Sequence, residues 1–155
     1  MMLTIRTLTF DRIAPVAAEL CAEDMRELDA AGISDARLML SDALPLCSWS
    51  QEALWGDQPI AVFGVRPLPG GEVGVPWMLT TAHMDNAQTV AVAKASRRAV
   101  QRMQREFSAL RNWVHVGNTR AIRFIEWLGF HVEPELCGPG YQFRQFTWSR
   151  ACATP

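Results

Sequence analysis

Apolar and polar residues alternate over residues 3–6 (Leu-Thr-Ile-Arg), a period of two that predicts a short first strand. From Asp11 the period lengthens. Ile13, Val16, Ala17 and Leu20 recur at helical spacing, with Asp11 placed to cap and Pro15 near the first turn. A second helical stretch, 22–31, ends at Gly32, a residue suited to the left-handed position after a helix. A third, within 34–46, takes Ser34 or Asp35 as its cap and turns Leu38, Met39 and Leu40 inward. The pattern then becomes extended. Residues 47–55 and 60–65 read as a hairpin about Gly56-Asp-Gln-Pro59. Residues 67–74 hold two prolines and three glycines and read as a loop. Residues 75–81 form the next strand, with Pro76 at its start or at a bulge because it cannot donate to a ladder.

The longest periodic segment is 85–107. Asp85 and Gln88 have the spacing of a capping box, and Val92, Ala93, Ser96, Val100, Met103 and Phe107 make one stripe. The opposite face carries Lys94, Arg97, Arg98, Arg102 and Arg105. A strand at 110–116, a helix at 118–128 ended by Gly129, and strands at 130–133 and 141–148 around Pro139-Gly140 complete the chain. The order β-α-α-β-β-β-α-β-α-β-β predicts an α/β domain over 1–150, with a mixed sheet covered by helices on both faces. Residues 151–155 are expected to be a flexible tail.

Composition narrows the function classes. The 155 residues carry a formal net charge of −1, so no global field draws the chain to nucleic acid or an anionic membrane. No apolar run approaches the roughly 18 residues of a membrane span, and the first residues lack a signal-peptide pattern. Cys21, Cys47, Cys137 and Cys152 are scattered without metal-ligand spacing. They are expected to be reduced thiols, Cys47 and Cys137 in the core and Cys152 in the tail, and no metal site is expected. His83 reads as an exposed loop residue, and His115 and His131 as structural or surface residues. No Ser/His/Asp or Cys/His nucleophile pattern is present. Of the six tryptophans, Trp113 and Trp127 suggest core or a packed interface. Trp49, Trp55 and Trp77 suit core packing, or a groove beside the strand at 75–81. The basic face from Lys94 to Arg105 reads first as a solvated surface, and only second as a contact for phosphates.

The most specific segment is Leu110-Arg-Asn-Trp-Val-His-Val-Gly-Asn118-Thr-Arg-Ala121-Ile-Arg-Phe-Ile-Glu-Trp-Leu-Gly129-Phe130. It resembles the acyl-CoA N-acyltransferase (GNAT) superfamily, in which a strand leads to Asn-x-x-Ala, an amphipathic helix and Gly-Phe. The resemblance implies a central, mostly antiparallel sheet with a splayed strand pair. It implies an acetyl-CoA or other acyl-CoA cofactor whose pantetheine pairs with the strand edge at Leu79, Thr80 and Thr81, with Asn118 near the thioester. The pyrophosphate would rest on the helix start at Asp85.

Two departures stand beside it. Thr80-Thr-Ala-His-Met-Asp-Asn-Ala-Gln88 lacks the family's glycines and puts a carboxylate at the phosphate position. Ile125 stands where many members have a proton-donating tyrosine. No general base can be named from the sequence.

With Val75-Pro-Trp77-Met-Leu79-Thr-Thr81, Ser96-Arg97 and the 110–130 segment, the stretch of about Gly74–Phe146 resembles small GNAT-like phage proteins, including internal virion proteins of short-tailed phages. That implies a phage or prophage origin, with other phage proteins as partners and a location in the host cytoplasm or the particle. Two functions follow: an acetyl-CoA-dependent N-acyltransferase with a degenerate cofactor loop, or a catalytically silent virion-associated protein.

Overall fold

The computed structural model describes residues 2–151. Its element order is β1 (Leu3–Thr7), α1 (Phe10–Ala17), α2 (Ala22–Ala30), α3 (Ala36–Ala43), β2 (Trp49–Trp55), β3 (Gln58–Pro67), β4 (Val73–Thr80), α4 (Asn86–Glu106), β5 (Ala109–His115), α5 (Thr119–Trp127), β6 (His131–Cys137) and β7 (Phe143–Ser149). Single 3-10 turns lie at Leu44–Leu46 and Pro139–Tyr141. The strands form one sheet in the order β1-β2-β3-β4-β5-β7-β6, antiparallel throughout except where β4 meets β5. The expected mixed α/β architecture is therefore what the chain builds.

Alternation in β3 divides the interior. Ala61, Phe63 and Val65 face a core shared with Val92, Val100 and Met103 of α4, Ile122 of α5, and Phe130 and Phe146. Val62 faces a second core with Leu79, Ile13 and Val16 of α1, and Leu40 of α3. The helices thus cover both faces of the sheet.

Local chemistry sets the helix ends that matter to the site. Asp85 and Gln88 form the reciprocal capping box at the head of α4. Asn118 Oδ1 accepts from Ala121 N at the head of α5. Gly129 ends α5 with φ of 100°. Asp35 caps α3.

Several expectations are corrected. Thr9, not Asp11, precedes α1, because the helix starts two residues earlier than its apolar stripe suggests. Pro15 consequently lies in the body of an eight-residue helix, and Leu20 leaves it to bridge Thr81. Leu38 points outward, the inward stripe of α3 being Met39 and Leu40. Tyr141 is 74% exposed and ends the turn before β7 instead of starting the strand, and Trp113 and Trp127 are 46% and 47% exposed. Cys47 and Cys137 are only partly buried. Cys152 and most of the expected tail lie outside the described residues.

Candidate active site

Strands β4 and β5 run parallel and pair only at Val73↔Ala109 and Gly74↔Leu110, then separate. Gly74 allows the close start. A Cβ there would lie 2.8 Å from Val65 and 3.0 Å from both Leu110 and Phe107. Beyond it the sheet is open, and the backbone groups lining the opening must find other partners.

The register shows which groups those are. Thr81 N donates to Ile60 O, so Thr81, Leu79 and Trp77 turn their peptides toward β3. Pro76, Met78 and Thr80 turn theirs into the gap. Proline suits position 76 because the side facing the gap has no ladder to donate to. Pro76 O accepts from Asn112 Nδ2 at 2.7 Å. Thr80 O accepts from Cys21 N at 2.9 Å. Thr80 N donates to Asp24 Oδ2 at 2.6 Å, and Thr80 Oγ1 donates to the same oxygen at 3.1 Å. Only the peptide N–H and C=O of Met78 remain open along this edge.

Donors of the opposite edge are held in the same manner. Trp113 N donates to Asn112 Oδ1 at 2.7 Å, and His115 N donates to Glu27 Oε1 at 3.3 Å. Glu27 Oε2 accepts from Asn118 Nδ2 at 2.8 Å. Asp24 and Glu27, three residues apart on α2, thus reach one strand edge each. Burial pushes both carboxyls above their ordinary range, against the hydrogen bonds that would lower them. Burial also raises the Cys21 thiol, whose Sγ lies 3.2 Å from Thr80 Oγ1.

A cavity of about 540 Å³ runs through the gap and joins the two faces of the sheet. On the α4–α5 side small residues line it: Ala93, Ser96 and Ala121, with Met78 and Phe124. On the α2–α3 side it passes Asp24 and Glu27 to an apolar lobe. The volume suits a small organic ligand.

The expected site residues fall in different places. Thr80 and Asn118 lie at the mouth of the gap, each held by a carboxylate of α2. Leu79 and Thr81 direct their peptides into the β3 ladder, and Thr81 Oγ1 donates to Pro59 O. Sequence reasoning missed Asp24, Glu27, Met78 and Asn112. A short acidic helix does not disclose which carboxylates turn inward, although their spacing of three was visible.

The head of α4 is closed on itself. Asp85 Oδ1 accepts from Gln88 N at 2.8 Å, and Gln88 Oε1 accepts from Asp85 N at 2.9 Å. The preceding loop is tied to the segment after α1: Ala82 N donates to Glu19 O, and His83 pairs with Glu19 at 3.0 Å. His83 is the exposed loop residue expected, and Glu19 is its partner. The basic face of α4 is partly engaged as well. Arg97 stacks on Trp127 at 3.8 Å, and Arg102 on Trp49 at 4.3 Å. Ile125 packs against the larger core. No helix among the described residues is long and apolar enough to cross a membrane, and no His/Cys/Asp/Glu group among them has the arrangement of a metal site.

No protein-family profile and no curated protein matches the chain. Solved structures do. An acetyltransferase of the GNAT family from Bacillus anthracis superposes with a TM-score of 0.71 at 13% identity, covering 96% of this chain and 95% of that one. The chain has the GNAT acetyltransferase fold. AAC(6')-Ib in complex with ribostamycin and coenzyme A gives a TM-score of 0.73 at 17% identity, over 97% of this chain and 95% of that one. A spermidine N-acetyltransferase chimera from Vibrio cholerae gives 0.69 at 13% identity, over 98% of each chain. At these identities the likeness concerns the GNAT fold and its splayed strands, not the acceptor.

Proposed function

We propose that this chain is an N-acyltransferase that uses acetyl-CoA or another acyl-CoA and takes its amine on the α2–α3 side of the gap. The observation that carries this reading is the placement of Asp24 and Glu27 at the mouth of an opening whose other wall offers one unpaired peptide, Met78. That solved neighbours of this fold bind coenzyme A supports it.

The residues present fit the pantetheine part of such a cofactor. An extended amide arm needs a strand edge with an open donor and acceptor, and the Met78 peptide supplies both; Thr80 and Asn118 flank it. The diphosphate part is matched less well, because the Asp85 carboxylate holds the N-terminal donors of α4. When bound, the cofactor supplies an activated acyl carbonyl. The chain supplies the rest. Asp24 accepts the proton that an amine must lose to become a nucleophile. It suits this better than Glu27, both of whose oxygens hold the β5–α5 edge. Glu27 fixes Asn118 and keeps the mouth open. The apolar walls exclude water and hold amine and carbonyl together.

The test is acyl transfer from acetyl-CoA to a panel of primary amines, followed by thiol release and by mass spectrometry of the product. Asp24→Asn is expected to lower kcat/KM about 100-fold. Absence of both product and acetyl-CoA binding at millimolar concentration would end the reading.

The closed head of α4 and Ile125 favour a second reading, a silent GNAT-fold protein acting through contacts with other phage proteins. The phage or prophage setting rests on the sequence resemblance over Gly74–Phe146. Mass spectrometry of purified virions tests it, and absence from the particle removes it.

A further inference from the structure

The α2–α3 lobe of the cavity differs in character from its mouth. Leu28, Ile33, Met39, Leu40, Cys47 and Trp77 line it. Its polar groups are at the ends. Asp24 binds the Thr80 peptide at the last residue of β4. Arg66 lines the cavity at the other end and is in register with Val75, near the start of β4. Five residues of strand separate these ends, about 16 Å. Across that distance the walls are apolar. The remaining charged groups on the cavity are Glu23 and Glu27, beside Asp24 on α2, and Arg120 on α5.

We infer that the acceptor is a monoamine with an apolar body, its ammonium drawn to Asp24 and Glu27 and its far end lying toward Arg66. This rests on the reading of the site as an N-acyltransferase and adds the class of amine. Charge complementarity decides the orientation. One positive group meets two carboxylates at the mouth, and a second one at the far end meets a guanidinium, since Asp35 and Asp42 lie with Arg66 on the adjoining surface recess and not on this cavity. A polyamine therefore gains at one end and loses at the other, besides leaving its inner ammonium against apolar walls. An alkyl or arylalkyl amine meets matching surface along its whole length. Arg66 is thus a specificity residue, outside the groups assigned to the reaction. It is exposed, so it can be changed without disturbing the core.

Calorimetry with hexylamine, 2-phenylethylamine and spermidine, without any acyl donor, tests this. The apolar amines are expected to bind at least tenfold more tightly than spermidine. Arg66→Glu is expected to raise spermidine affinity at least fivefold and to leave hexylamine within twofold. Spermidine binding as tightly as hexylamine, or an Arg66→Glu variant that does not discriminate, overturns the inference. So does displacement of hexylamine by octanoyl-CoA but not acetyl-CoA, since the lobe would then hold the acyl chain. Binding as expected, with no acyl product from acetyl-CoA, keeps the amine site and instead sinks the transferase reading.

Discussion

Asn112 Nδ2 donates to Pro76 O at 2.7 Å across the point where β4 and β5 part, and Asn112 Oδ1 accepts from Trp113 N at the same distance. One side-chain amide thus takes the place of two missing ladder partners. Asn112→Ala leaves both peptide groups without partners beside an apolar cavity. A loss of about 1–3 kcal/mol is expected, read as a lower urea midpoint with an unchanged slope. Asn112→Asp keeps the acceptor for Trp113 N and loses the donor to Pro76 O. A midpoint unchanged in both variants would show that the gap does not depend on this amide.

Asp24 gives opposite expectations for activity and stability. Burial raises its folded-state pKa, so between the ordinary carboxylate value and that raised value the folded chain binds more protons than the unfolded one. Stability therefore falls as pH rises through this window, and Glu27 contributes with the same sign. Activity runs the other way, because the carboxylate must be ionised to accept a proton. Asp24→Asn should flatten both profiles, keep or raise Tm at pH 7, and lower kcat/KM about 100-fold. A variant that loses stability at neutral pH while keeping its acid limb of activity would contradict this assignment.

Asp85 stands at the place where a diphosphate would meet the head of α4. Asp85→Ser keeps a side-chain acceptor for Gln88 N and removes the charge. Acetyl-CoA affinity should rise about fivefold, the equivalent of roughly 1 kcal/mol at a helix terminus. Acetyl-pantetheine, which has no diphosphate, should bind unchanged. Weaker coenzyme binding by the variant would mean that the carboxylate assists rather than opposes.

Glu52 is fully buried and meets Arg12 Nη2 at 2.9 Å and Arg6 Nε at 3.1 Å. The two arginines differ in exposure, 26% against 51%. Arg12→Met should therefore cost about 2–3 kcal/mol and Arg6→Met less than about 1 kcal/mol in chemical denaturation. The reverse order would show that the pairing geometry does not govern the cluster.

Most of the fold was legible in the sequence, because the signals were local. The capping pair Asp85/Gln88, the stripe on α4, and Asn118 with Gly129 each state a helix limit within a few residues. The start of α1 was not, since Thr9 caps without a side-chain hydrogen bond and Asp11 is the more conspicuous residue. The site was legible only in part. Asn118 and Thr80 follow from the family pattern. Asp24 and Glu27 act across separations of 56 and 91 residues, and no period in a nine-residue acidic helix reveals which side faces a gap. Tyr141 was read as the start of the last strand, but its turn holds it at φ of 52°, two residues ahead of β7.

The opening between β4 and β5 divides the chain as well as the sheet. Every strand up to residue 80 lies on one side and every strand from residue 109 on the other, joined by two register pairs, by α4, and by the side-chain bridges of Asn112 and Glu27. Each side is made of strands consecutive in sequence; β2–β3, β3–β4 and β6–β7 pair over short loops, while β1–β2 pair across three helices and β5–β7 across α5 and β6. The chain can thus complete both leaves before the seam at Gly74 is laid. Hydrogen exchange is expected to report two sub-global openings, with the amides of Gly74 and Ala109, which turn toward the seam, exchanging only when one leaf detaches from the other. A single opening shared by all strands would show that α4 fuses the leaves into one cooperative unit.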